Sequence, residues 1–303
     1  MSRLSTELAG IKLANPTILA SGFLGTSIEM LKRVEKGGAG AVTIKSITRE
    51  PRTGHNNPIV VEVRGGLLNA VGYSNMGLDA AKEEFTGVGK LGVPAIASVV
   101  AEDAKGFVEL AIELSTLAFS AIEVVLSCPH TPGLGLLAGH GTPEATEEIT
   151  KEVVKATKLP VIIKLSPNTQ ALGEVAKAAE RSGAAAINMG NTLGPGMVIN
   201  LEAEKPVLDY KVGGMSGPVV KPIGVRCVWD VFESVKIPVI GTGGVTDGRD
   251  AIEYFMAGAS AVGVGTAIMY RQEDAFEKIC EEIEAFMKEN GFKKIKDLVG
   301  IAH

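Results

Sequence analysis

Eight stretches of this chain are apolar and β-branched, without polar alternation: 16–21 (PTILAS), 41–46 (AVTIKS), 94–100 (PAIASVV), 121–127 (AIEVVLS), 160–166 (PVIIKLS), 185–191 (AAINMGN), 238–244 (PVIGTGG) and 261–267 (AVGVGTA). Unbroken apolar runs of this length mark strands buried on both faces, as in a parallel sheet. Between most of them the pattern changes to a helical period, as over 104–117, 142–157 and 170–183. Strand and helix alternating in this way predict an α/β fold, a single (β/α)8 TIM barrel forming one domain over 1–303. A doubly wound sheet is the alternative, but no dinucleotide-binding glycine fingerprint stands near the first strand. The opening TELAGIKLANP reads as an N-terminal hairpin beneath the barrel. Two intervals, 47–93 and 192–237, are too long for simple connections and are rich in Gly, Asn and Pro. Both follow strand ends, where long loops carry active-site functions.

Composition narrows the function more than the fold. Of 303 residues, 46% are apolar and 21% charged, an ordinary globular balance. A net charge of −5 and an aromatic content of 5% leave no footprint for nucleic acid. No apolar run approaches the roughly 20 residues that span a bilayer, and the polar N-terminus lacks a secretory apolar core. A cytoplasmic protein with neither membrane nor nucleic-acid partner is expected. Three cysteines, Cys128, Cys227 and Cys280, have no paired spacing, so free thiols and no metal site are expected. Cys227 beside Val228 and Val231, and Cys280 in a stripe with Phe276, Ile279, Ile283 and Phe286, read as small core residues. Cys128 differs, because its neighbours change there from apolar to polar and Pro129 ends the strand. That is the end of a barrel strand at which catalytic groups collect.

The last two predicted strands run into Gly241-Thr242-Gly243-Gly244 and Gly263-Val264-Gly265-Thr266. Glycine there lets backbone N–H groups approach a phosphate, though tight turns alone would also use it. Lys45 in TIKS and Lys164 in IIKLSPN place positive charge at or in apolar strands. Such a charge is costly unless paired or used. Both are expected to face the barrel mouth and an anionic or electron-rich ligand, with an ion pair as the other reading. A Schiff base on Lys164 would make an aldolase, but would leave Cys128 and Lys45 without a task. Asn69 and Asn75 in LLNAVGYSN, and Asn191-Thr192, offer donors and acceptors suited to a ring of alternating C=O and N–H groups. Asn and Gly are equally ordinary loop formers.

In this order the segments resemble the class 1 dihydroorotate dehydrogenases, particularly the 1B branch that works with an electron-transfer subunit. The likeness runs through ASGF (20–23), IKSIT (44–48), GLLNAVGYSN (66–75), SCPH (127–130) and KLSPN (164–168). It continues in NTLGPGM (191–197), GGMSGPVVKP (213–222), GTGG (241–244) and AGASAVGVGTA (257–267), and DLVGIAH is similar to the tail of archaeal members. The resemblance implies FMN at the barrel mouth, its phosphate on Gly243, Gly244, Gly265 and Thr266, with Ala20, Gly22, Ser46 and Gly217 along it. Lys164 would lie at the flavin's pyrimidine edge, and Lys45 would touch both flavin and substrate. Asn69, Gly72, Asn191 and Thr192 would hold dihydroorotate or orotate, and Cys128 would be the base. A free thiol titrates near about pH 8.5, so that base needs thiolate stabilisation or a relay. A homodimer, within a heterotetramer whose other subunit carries FAD and a [2Fe–2S] cluster, is implied by the family alone.

Two positions depart from the family's Asn-x-Ser-Cys-Pro-Asn motif: Val125 and His130 replace its asparagines. Valine can neither donate nor accept, while His130 can replace an amide donor and, charged, would favour an anionic substrate. Cys-Pro-His also occurs in the related barrel of dihydropyrimidine dehydrogenases. A dihydrouracil-like substrate therefore stands as the alternative to dihydroorotate, and a non-catalytic barrel that keeps its phosphate loops as a third reading.

Overall fold

The computed structural model describes residues 2–126, 141–169 and 171–303. Its centre is a ring of parallel strands: β1 (Thr17–Leu19), β2 (Val42–Thr43), β3 (Ala95–Val99), β4 (Ala121–Val125), β5 (Val161–Leu165), β6 (Ala186–Met189), β7 (Val239–Thr242) and β8 (Ala259–Val264). They lie side by side in chain order, and β8 returns to pair with β1. A parallel bridge between Ile18 and Ala41, with the Leu19 N–H donating to the Ala41 carbonyl at 3.0 Å, joins β1 to the start of β2. The expected (β/α)8 barrel is the observed one.

The strands are shorter than the apolar runs that announced them. β2 stops at Thr43, because the Lys45 N–H turns away to the Gly25 carbonyl (2.8 Å) in the loop after β1. The helical stretches form Ala104–Leu114, Pro143–Ala156 and Leu172–Arg181. Local chemistry starts the first two: Asp103 accepts from the Gly106 N–H, and Thr142 accepts from the Ala145 N–H ahead of a proline in the first turn. Each helix lays one apolar stripe on the barrel, such as Phe107, Leu110, Ala111 and Leu114.

The barrel interior is built in layers. Its lowest layer takes Ile18, Ile96, Ile162 and Ile240 from the odd strands and Ala41, Ala121, Ala186 and Ala261 from the even positions. Large and small side chains alternate around the ring. Leu8 and Leu13, from the N-terminal hairpin Thr6–Leu8/Ile11–Leu13, close this layer from below. Because side chains repeat every second residue on one face of a strand, the next inward layer lies two positions on. There the chemistry changes abruptly: Ser98, Glu123, Lys164, Asn188 and Thr242 follow Ile96, Ala121, Ile162, Ala186 and Ile240.

The two long intervals are more than loops. Val60–Val63 and Gly66–Asn69 from one pair with Gly213–Ser216 and Leu193–Gly196 from the other in a four-stranded antiparallel sheet. Gly214 faces Asn69 and Ser216 faces Leu67, so segments about 150 positions apart share one register.

Candidate active site

At the C-terminal ends of the barrel strands, against the added sheet, lie two contiguous cavities of about 420 and 80 Å³. Ser21, Phe23, Lys164, Asn191, Thr192 and Ser216 line both, so the two form one cleft. The larger part takes Gly22, Lys45, Ser46, Asn69, Gly72 and Val125 into its wall. The smaller is lined by Ala20, Gly217, Gly243, Gly244, Gly265 and Thr266. Of the described residues expected at a site from the sequence, all but Asn75 line this cleft. Cys128 and His130 lie outside the described residues.

The small end is made of backbone. Gly243 and Gly244 follow β7, and Gly265 and Thr266 follow β8. Gly244 has φ of 74°, and a Cβ there would lie 2.7 Å from the Gly217 carbonyl oxygen and 2.9 Å from Lys221 Cβ. Gly217 has φ of 92°, and its Cβ would meet Gly66 Cα at 2.8 Å. Only glycine suits either position. Two further contacts hold the loop after β7. The buried Tyr254 hydroxyl donates to the Gly243 carbonyl at 2.6 Å, and Cβ atoms on Gly224 or Gly241 would overlap that side chain. Asp250 accepts from the Thr246 N–H (2.9 Å) and hydroxyl (2.6 Å) and pairs with Lys221 at 2.8 Å. Burial alone would raise the Asp250 pKa, but the hydrogen bonds from Lys221 and Thr246 outweigh it and hold the carboxyl below its ordinary range. Burial works against the Lys221 ammonium, yet Asp250 and Glu253 raise its pKa.

Beneath the cleft the polar layer is hydrogen-bonded across the barrel. Ser21 Oγ lies 2.9 Å from Ser46 Oγ, which lies 3.0 Å from Ser98 Oγ. Ser98 donates to Glu123 Oε1 at 3.0 Å, Asn188 Nδ2 donates to Glu123 Oε2 at 2.6 Å, and Thr242 donates to Asn188 Oδ1 at 2.8 Å. Lys164 Nζ stands 3.8 Å from Glu123 Oε1. Lys164 therefore both lines the cleft and is ion-paired. At 5% and 1% exposure, Lys164 and Glu123 escape solvent screening, and each offsets part of the other's desolvation cost.

The wide end mixes amides, a cation and an apolar wall. Lys45 Nζ sits 5.3 Å from the centre of the Tyr73 ring, and Tyr73 holds a left-handed backbone with φ of 56°. Such a conformation in a non-glycine residue persists only where its surroundings enforce it. Val125, 2% exposed, packs with Val100 and Tyr73. Asn69 Nδ2 donates to the Gly214 carbonyl at 3.1 Å, tying the added sheet together and leaving Oδ1 as its other polar atom. Asn191 Oδ1 accepts from the Thr192 N–H at 2.8 Å. Asn75 has a structural task instead: its amide bonds Thr48 Oγ1, the Tyr73 carbonyl and the Gly77 N–H, and it is absent from the cleft wall. Cys227 and Cys280 are core residues as expected, each thiol pushed up to about 11 by burial.

Reading the sequence for buried charge singled out the lysines and passed over Glu123, Ser98 and Asn188. The signal was the same, a polar residue inside an apolar strand, and was strongest at Glu123 in AIEVV. Tyr73 and Tyr254 carried no local signal, since tyrosine is common in cores and loops alike.

Comparison with known proteins points to one family. A family model described as dihydroorotate dehydrogenase matches residues 3–287. The chain is 45% identical over 301 residues to the protein named dihydroorotate dehydrogenase B (NAD(+)), catalytic subunit, of Methanothermobacter thermautotrophicus, covering 99% of this chain and 98% of that one. It is 43% identical over 304 residues to the protein of the same name from Methanocaldococcus jannaschii, covering 99% and 98%. Identity to the Thermoplasma acidophilum protein of that name is 43% over 302 residues, covering 100% and 99%. Among the described residues no helix is long and apolar enough to cross a membrane.

Proposed function

The chain belongs to the dihydroorotate dehydrogenase family, and from that premise we propose that it oxidises dihydroorotate to orotate for pyrimidine synthesis, using FMN held in the cleft at the barrel mouth. The observation that carries this reading is the division of one cleft into a glycine-walled end and an amide-and-lysine end, with Lys164 lining both. An anionic phosphate suits the first and a flat ring with alternating donors and acceptors suits the second. The cradle fits the group, because a Cβ at Gly244 or Gly217 would close the space between the loops.

In this reading Gly243, Gly244, Gly265 and Thr266 bind the phosphate through backbone N–H groups and a hydroxyl. Ala20, Gly22, Ser46 and Gly217 flank the rest of the cofactor. Asn69, Gly72, Asn191 and Thr192 orient the pyrimidine, and Lys45 and His130 favour a substrate carrying a carboxylate. The oxidation removes a proton from one ring carbon and a hydride from its neighbour. Cys128, as thiolate, takes the proton at Sγ. FMN supplies the hydride acceptor when bound. Lys164 would help to hold the flavin and would supply positive charge to it, in surroundings that screen that charge poorly. Val125 and Tyr73, packed with Val100 behind them, give that end an apolar wall.

Three cysteines, two of them buried in separate helices, cannot supply the four thiolates of a [2Fe–2S] cluster. The onward electron path is therefore assigned to a partner subunit carrying FAD and [2Fe–2S], with NAD as final acceptor. The relatives' designation as NAD(+) catalytic subunits supports this. A homodimer at the centre of a heterotetramer completes the proposed assembly, in the cytoplasm, with the whole chain acting as one domain.

Purified protein tests the reading. It is expected to bind FMN and to oxidise dihydroorotate faster than dihydrouracil with an artificial acceptor. Failure to take up FMN, or a preference for dihydrouracil, would overturn it.

A further inference from the structure

Glu123 is 1% exposed and lies in the barrel interior, and the proposed reaction gives it no task. Its carboxylate is surrounded by donors. Asn188 Nδ2 reaches Oε2 at 2.6 Å, Ser98 Oγ reaches Oε1 at 3.0 Å, and Lys164 Nζ stands 3.8 Å from Oε1. Neither of the first two is free to let go. Asn188 is oriented by the Thr242 hydroxyl at 2.8 Å, and Ser98 ends the hydroxyl chain that begins at Ser21 in the cleft wall. A chain of hydroxyls needs an acceptor at its end, and an ionised carboxylate is acceptor only.

The consequence concerns Lys164. A carboxylate closed to hydrogen-bond distance would offset more of the ammonium's field than one held farther off. Held on both oxygens, it stays 3.8 Å away, beyond such a bond. The pair is attracted and not closed, so Lys164 keeps part of its charge for the cleft it lines. We propose that Glu123 is a positioning residue that sets how much positive charge Lys164 presents to the bound flavin, and with it how readily the flavin accepts electrons; the proposal rests on the reading that the cleft holds FMN.

The test is a double-mutant cycle on the FMN-loaded protein, read as the flavin midpoint potential. Glu123→Gln keeps shape and removes the restraining charge. It is expected to raise the potential by a tenfold change in the reduction equilibrium, about 30 mV for a two-electron couple. Lys164→Gln is expected to lower it. In the Lys164→Gln background, Glu123→Gln is expected to have a much smaller effect, since the group it acts through is gone. An unchanged or lowered potential in Glu123→Gln, or the same shift with and without Lys164, overturns the proposal. If Glu123→Gln does not fold, comparison of Lys164→Gln with the double variant decides: nearly equal potentials are expected, and a gap of about 30 mV or more overturns the proposal. A wild-type protein that binds no FMN would sink the functional reading and this proposal together. A flavin-loaded protein with an unmoved potential sinks this proposal alone.

Discussion

Tyr254→Phe tests whether the loop after β7, proposed to hold the phosphate, is held from behind. The hydroxyl is the buried partner of the Gly243 carbonyl at 2.6 Å, and phenylalanine leaves that carbonyl without its donor. An unsatisfied buried polar group costs about 1–3 kcal/mol. With an unfolding entropy of about 2.1 cal/mol/K per residue over 303 residues, that cost corresponds to a fall in Tm of about 2–5 °C. Where the loss is seen depends on the loop. Without ligand the loop can shift so that water reaches the carbonyl, and part of the stability returns. Bound FMN would require the original loop, so whatever was recovered reappears as weaker binding. Stability loss and affinity loss should therefore sum to about 1–3 kcal/mol. Chemical denaturation of the apoprotein gives the first and quenching of FMN fluorescence the second. A combined change below about 0.5 kcal/mol, less than a typical net hydrogen bond, would refute the claim that Tyr254 positions this loop.

Other outcomes follow from the same geometry. Gly244→Ala, which forces a side chain against the Gly217 carbonyl and Lys221 from a φ of 74°, should weaken FMN binding at least about tenfold, about 1.4 kcal/mol; unchanged affinity in a fluorescence titration would argue against a phosphate at this end. Asp250 has a lowered pKa, so its contribution is full above the ordinary aspartate range and is lost as pH falls through the lowered value. Wild type should exceed Asp250→Asn in stability at pH 7, with the two melting curves converging below about pH 4; an equal gap in acid would contradict the assignment. Cys128→Ala should keep its flavin and lose most dihydroorotate turnover, and near-normal steady-state rates would remove the thiol from the mechanism.

Much of this molecule was legible residue by residue. The barrel strands could be read because burial on both faces excludes polar residues for several positions in a row, a property of each segment alone. Gly243, Gly244 and Gly265 could be read as a candidate cradle because backbone freedom belongs to the residue type, whereas Gly217 entered only through the family resemblance. Lys45 and Lys164 stood out because charge in an apolar strand is costly wherever it falls. Asn75 was harder: an amide that bonds a ligand and one that ties down its own loop look alike until their partners are known.

What local chemistry left open was which groups would meet. Ser98, Glu123, Lys164, Asn188 and Thr242 come from five strands, and nothing in any one of them specifies its level relative to the next. Closure of the barrel sets that level, through the stagger of neighbouring strands and the alternating Ile and Ala layer below. The same closure turned two long intervals into one sheet and made the strand ends the wall of a cleft. Hydrophobic pattern and glycine placement are short-range properties of the chain. Register is a long-range one, and it alone brought Glu123 to 3.8 Å from Lys164.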